Sequence, residues 1–123
     1  MTPWLAVAVG SALGACVRFA AEGLPADTLV VNLAGSFAMA CFLAGAPSQR
    51  GGITGSPAMR LFFTTGFCGG LTTFSVFSAE TWMLAASGGL ATAGAYAAAT
   101  VGLSIAAALA GFRFGRAIRA RPR

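Results

Sequence analysis

Histidine and lysine are missing from this sequence, and its acids are confined to Glu22, Asp27 and Glu80. Without histidine, neither a Ser-His-Asp triad nor an imidazole metal site can be built. Cys16, Cys41 and Cys68 each fall in a different apolar run and read as small packing residues rather than a disulfide framework. These absences argue against an enzyme. Charge of either sign is scarce, at 9% of residues against 57% hydrophobic, with a mean hydropathy of +0.79. That balance lies outside the range of soluble globular domains and points to a membrane protein.

What is present instead is long apolar runs. A hydrocarbon layer about 30 Å thick needs roughly 20 apolar residues per helix, so four spans nearly exhaust 123 residues. They fall at about 3–21, 29–46, 59–86 and 90–112. The expected fold is an all-α membrane protein of four transmembrane helices, forming one unit over 1–123 with no internal repeat. The stretch PSQRGGITGSP at 47–57 has the Gly, Ser and Pro content of a loop and is the longest candidate, so no extramembrane domain is expected. LGAC at 13–16 resembles a lipoprotein cleavage site, but no basic residue precedes Arg18 and cleavage would discard the first span. The tail RFGRAIRARPR directly follows a span. It reads as a cytoplasmic topology determinant that also meets anionic headgroups, and not as a nucleic-acid contact.

Several polar residues interrupt the spans. Gly10 and Gly14 form a small-xxx-small pattern that lets helices approach closely. Asn32, in VVNLAGSF, carries an amide whose donors are costly to bury unpaired; it is either an interhelical bond or a donor on a polar pathway. Tyr96, Thr100 and Ser104 are spaced i, i+4, i+8, so their hydroxyls share one helical stripe, either interhelical glue or a hydrated track. Arg18 closes the first span and either snorkels to the interface or forms an electropositive vestibule. Glu80 is an intramembrane acid, hence a functional candidate, with no partner evident from sequence.

The oddest stretch is GFCGGLTTFSVFSAE, at 66–80. Gly69-Gly70 loosens a helix, and Thr72-Thr73 can hydrogen-bond their own backbone, so the third helix is expected to be broken at its centre. Broken helices persist at membrane depth where the freed carbonyls are buried in protein or hold an ion such as Na⁺. Phe74 and Phe77, at i and i+3, point the same way, and the electropositive edges of two rings can coordinate a small anion.

On GSALGACVRF, VVNLAGSF and above all GFCGGLTTFSVF, the chain resembles the Fluc (CrcB) family of fluoride channels from the first span to the fourth. The resemblance implies a passive fluoride-selective channel in the cell (inner or plasma) membrane that exports fluoride and lowers its cytoplasmic level. It implies an inverted, dual-topology dimer with two pores and a structural Na⁺ at the centre, held by the backbone carbonyls of Gly69 and Thr72. The fluoride pathway it implies comprises Asn32, Phe74, Phe77, Tyr96, Thr100 and Ser104, with Arg18 as the vestibule arginine and Glu80 as the third-span glutamate. Two departures stand out: Thr100 replaces a serine of the family's hydroxyl track, and Val76 occupies a position that is often threonine. The alternative is a small multidrug-type proton-coupled exporter, which wants a carboxylate in the first span; none is there.

Both termini and the middle loop of a four-span chain share one side of the membrane. That side holds Arg50, Arg60, Arg113, Arg116, Arg119, Arg121 and Arg123, against Arg18 alone on the other. Under the positive-inside rule, this bias predicts cytoplasmic termini and a heterodimer with a paralogue of opposite bias rather than a homodimer.

Overall fold

The structure, a computed structural model, describes residues 2–23, 26–45 and 56–120. Most of the expected 47–57 loop, together with Arg50, Arg121 and Arg123, lies outside them. Helix α1 spans Pro3–Ala21 and opens on a proline, whose fixed φ suits a first turn that has no use for its N–H. Helix α2 (Asp27–Gly45) begins at Asp27, whose carboxylate accepts the Thr28 N–H at 2.6 Å and the Gly23 N–H at 3.2 Å, tying the turn from α1 to the start of α2.

The third span is interrupted twice. Helix α3 (Pro57–Leu61) widens into a π-helical segment, Phe62–Cys68, followed by one α-turn, α4 (Gly69–Leu71). Thr72 and Thr73 are extended, and α5 (Phe74–Ala86) resumes beyond them. The expected central break is present, although the glycines do not make it, since Gly69 keeps helical angles (φ −65°, ψ −34°). The threonines do, β-branched residues that fit extended backbone well. A turn at Gly88 (φ +87°) leads into α6 (Leu90–Arg119), which continues past Phe112 into the arginine-rich tail. Among the described residues, four helical stretches are long and apolar enough to cross a membrane: Pro3–Ala21, Asp27–Gly45, Pro57–Ala86 and Leu90–Arg119.

Packing is backbone against backbone. A Cβ on Gly10 would strike the Phe62 carbonyl, and one on Gly14 would lie 2.8 Å from the Leu71 nitrogen, so α1 runs parallel to the first half of the third span at glycine distance. Gly111 and Gly115 of α6 approach Phe37 and Cys41 of α2 in the same way. The third span is antiparallel to α2: Phe42 stacks on Phe63 (centroids 5.0 Å), Asn32 meets Thr73, and Thr28 meets Glu80. Buried hydrophobic residues are mostly small (Ala6, Ala44, Cys68, Ala93), while Trp4, Phe19, Trp82 and Leu90 face outward, as lipid-solvated side chains do. All three cysteines are free.

This register sorts the charges. The start of α1, the C-terminal end of α2, the start of α3 and the C-terminal end of α6 share one end of the molecule, which carries Arg60, Arg113, Arg116 and Arg119. Arg18, Glu22 and Asp27 lie at the other end.

Candidate functional site

The site is built around the break. Asn32 pairs with Thr73 as a second backbone strand would: the Thr73 N–H donates to Oδ1 at 2.8 Å, and Nδ2 donates to the Thr73 carbonyl at 3.1 Å. One amide satisfies both backbone groups of Thr73, and one Nδ2–H is left over. Thr73 also caps α5, its hydroxyl accepting the Val76 N–H at 3.2 Å. Thr72 bonds back to the Cys68 carbonyl through both its N–H (3.0 Å) and its hydroxyl (2.9 Å). Its methyl fills the space that glycine leaves at Gly35.

These bonds redirect two donors. In an unbroken helix, the Thr73 N–H would serve the Gly69 carbonyl and the Val76 N–H the Thr72 carbonyl. Here they serve Asn32 and the Thr73 hydroxyl instead. Gly69 itself faces open space, since a Cβ there would meet nothing within 4 Å.

A cavity of about 440 Å³ opens beside the break. It brings together Asn32, Phe74, Phe77, Thr100 and Ser104, with Ser36 and Thr72 also on its wall. Phe74 is 79% exposed, so it is no core residue of this subunit, and its ring lies 5.7 Å from that of Phe77. Among the described residues, the Thr100 hydroxyl is the one buried side-chain oxygen or nitrogen without a hydrogen-bond partner. Leaving such a group unmet costs about 1–3 kcal/mol, and Thr100 itself lies on the wall of this mostly apolar cavity.

Tyr96 does not line that cavity. Its hydroxyl donates to Glu80 Oε2, and its ring lies 5.8 Å from Phe77. Thr28 donates to the other carboxylate oxygen at 2.8 Å, so Glu80 is held between α2 and α6. Arg18 shares a second cavity, of about 240 Å³, with Glu80, Asp27 and Thr28. Thr73 lines both cavities, so the break forms the wall between an aromatic, hydroxyl-bearing chamber and a charged one.

Sequence reasoning passed over Thr28, Ser36 and the pairing role of Thr73. The signal was available in part: Thr28, Asn32 and Ser36 repeat on α2 the i, i+4, i+8 spacing of the α6 hydroxyls. Chemically, the first chamber offers an amide N–H, hydroxyls and ring edges but no full charge, a set suited to a small anion in transit. No group of three or more Cys, Asp or Glu side chains that could hold a metal occurs among the described residues.

The family described as CrcB-like protein, Camphor Resistance (CrcB), matches residues 5–112. A protein of Paracoccus denitrificans (strain Pd 1222), named fluoride-specific ion channel FluC, is 41% identical over 123 residues, covering 94% of this chain and 95% of its own. One of the same name from Bordetella petrii is 42% identical over 126 residues, covering 94% and 93%. Another, from Pseudomonas paraeruginosa, is 42% identical over 115 residues, covering 87% and 88%.

Proposed function

The chain belongs to the CrcB-like family, and on that premise we propose that it is a passive fluoride-selective channel that exports fluoride and lowers its level in the cell. It is a multi-pass membrane protein and not an enzyme; the cell (inner or plasma) membrane is the compartment we assign to it. The observation that carries the reading is the chamber at the break, where Asn32, Phe74, Phe77, Thr100 and Ser104 converge on one space. Fluoride is small and holds its water tightly, so a path must replace hydration step by step with donors that are individually weak. The spare Asn32 N–H, the ring edges of Phe74 and Phe77 and the hydroxyls of Thr100 and Ser104 supply such a series. Glu80, bonded to Thr28 and Tyr96, and Arg18 beside it form the charged chamber on the other side of Thr73.

The active assembly in this proposal is an inverted dimer with a structural Na⁺ on its axis. The Gly69 and Thr72 carbonyls fit that role, because their usual helical donors are engaged elsewhere and Gly69 faces open space. Bound there, Na⁺ supplies a fixed positive charge that favours a nearby anion. The arginine bias between the two ends supports cytoplasmic termini and a paralogous partner, giving a heterodimer. A cysteine appended after Arg123, with the native cysteines removed, should be protected from an impermeant reagent in intact cells. Labelling of about half the population, the signature of dual insertion, would return the proposal to a homodimer.

The function itself is tested in liposomes, with the paralogous partner included where assembly requires it. A fluoride electrode should record efflux down the gradient with no energy source, under conditions in which chloride stays trapped. Efflux no faster than from protein-free vesicles, or movement only when coupled to protons as in a multidrug-type exporter, would refute it.

A further inference from the structure

At the arginine-rich end, away from both chambers, a cavity of about 540 Å³ lies between the C-terminal ends of α2 and α6. It is lined by Leu43, Ala44, Phe112 and Ala120, and by two arginines, Arg116 and Arg119. We propose that this cavity binds the headgroup and upper acyl chain of an anionic phospholipid.

Three features carry the assignment. First, Arg116 and Arg119 are i and i+3 on α6, and like charges at that spacing repel unless an anion sits between them. Second, no carboxylate side chain can serve as that anion. The chain's acids are Glu22, Asp27 and Glu80; the first two lie at the opposite end, and Glu80 is bonded to Thr28 and Tyr96. Third, the Arg116 guanidinium lies over the Phe112 ring, 5.9 Å from its centroid. The ring attracts the guanidinium without using up its N–H donors, which a phosphate oxygen can then accept from. The exposed Leu43 and Phe112 continue the wall as apolar surface, where an acyl chain would run and a free phosphate would gain nothing. The proposal is independent of which ion the channel conducts.

Native mass spectrometry of the purified protein, offered phosphatidylglycerol and phosphatidylcholine at equal concentration, tests it. Phosphatidylglycerol should be retained preferentially, and Arg116→Gln/Arg119→Gln should weaken its retention roughly fivefold per arginine. The matched control is Arg60→Gln/Arg113→Gln, which removes the same charge from the same end but outside the cavity and should retain the lipid. Leu43→Glu keeps both arginines, sets a carboxylate against them, and should also displace the lipid; it decides the matter if the arginine variant does not fold. Equal losses in the two double variants would mean diffuse attraction and overturn the site. So would equal retention of the two lipids, or binding of inorganic phosphate with no gain from phosphatidylglycerol.

Discussion

Gly69 and Gly70 are neighbours in the chain with opposite surroundings in the fold. A Cβ on Gly70 would strike the backbone of Ser11, whereas one on Gly69 would meet nothing within 4 Å. The same contrast separates the halves of the third span. Up to Leu71, the chain is pressed against α1, and Gly66, Cys68 and Leu71 are buried. From Phe74 onward no residue of α5 is buried, and Phe74 stands mostly exposed. The first half is shaped by what it touches within the subunit. The second is shaped by a polar cap at Thr73 and, apart from the ties of Glu80 to Thr28 and Tyr96 and of Phe77 to the Tyr96 ring, packs little within the subunit. This teaches where to look for function in a small membrane protein: on the half whose residues packing does not explain.

The largest effect should come from cutting the tie between the halves. Asn32→Leu leaves the Thr73 N–H and carbonyl unmet, at about 1–3 kcal/mol for each. Hydrogen exchange should accelerate over 72–86 well before 62–71, and uniform acceleration would mean the halves are not separable. Next, Gly70→Ala should destabilise the fold by about 1–3 kcal/mol through overpacking against Ser11, read as a lower thermal midpoint. Gly69→Ala should leave the subunit's helical content unchanged, and a loss as large as that of Gly70→Ala would erase the contrast. The smallest change in stability is expected at Thr100. Thr100→Val removes an unpartnered buried hydroxyl and should be neutral or stabilising by up to about 1 kcal/mol, while slowing ion flux. A clear loss of stability there would mean that the hydroxyl has a partner.

Much of this was legible in the sequence, for local reasons. Apolar runs mark the spans, and the i, i+4, i+8 spacing puts Tyr96, Thr100 and Ser104 on one stripe. What that spacing cannot tell is which neighbour each hydroxyl meets. Tyr96 is drawn off to Glu80, leaving Thr100 and Ser104 with the chamber. The position of the break was half legible. Glycine pairs look like the weak point, yet packing against α1 keeps Gly69–Leu71 helical, and the break passes to the threonines that Asn32 can cap. The π segment Phe62–Cys68 leaves no local trace, because a widened turn depends on what lies against it. The link between Thr28 and Glu80 joins residues 52 apart in sequence, beyond any periodicity.

The central claim is that the unpacked half of the third span carries the ion. The measurement that tests it most directly is initial fluoride efflux from liposomes for Phe77→Ile against wild type, with assembly of both verified by size exclusion. The change in volume is modest and should cost less than about 1.5 kcal/mol, so the variant should fold and assemble. Expected is a fall in flux of about tenfold or more, the loss of roughly 1.4 kcal/mol of stabilisation along the path. An assembled Phe77→Ile channel passing fluoride at the wild-type rate would contradict the claim and return Phe77 to the role of packing residue.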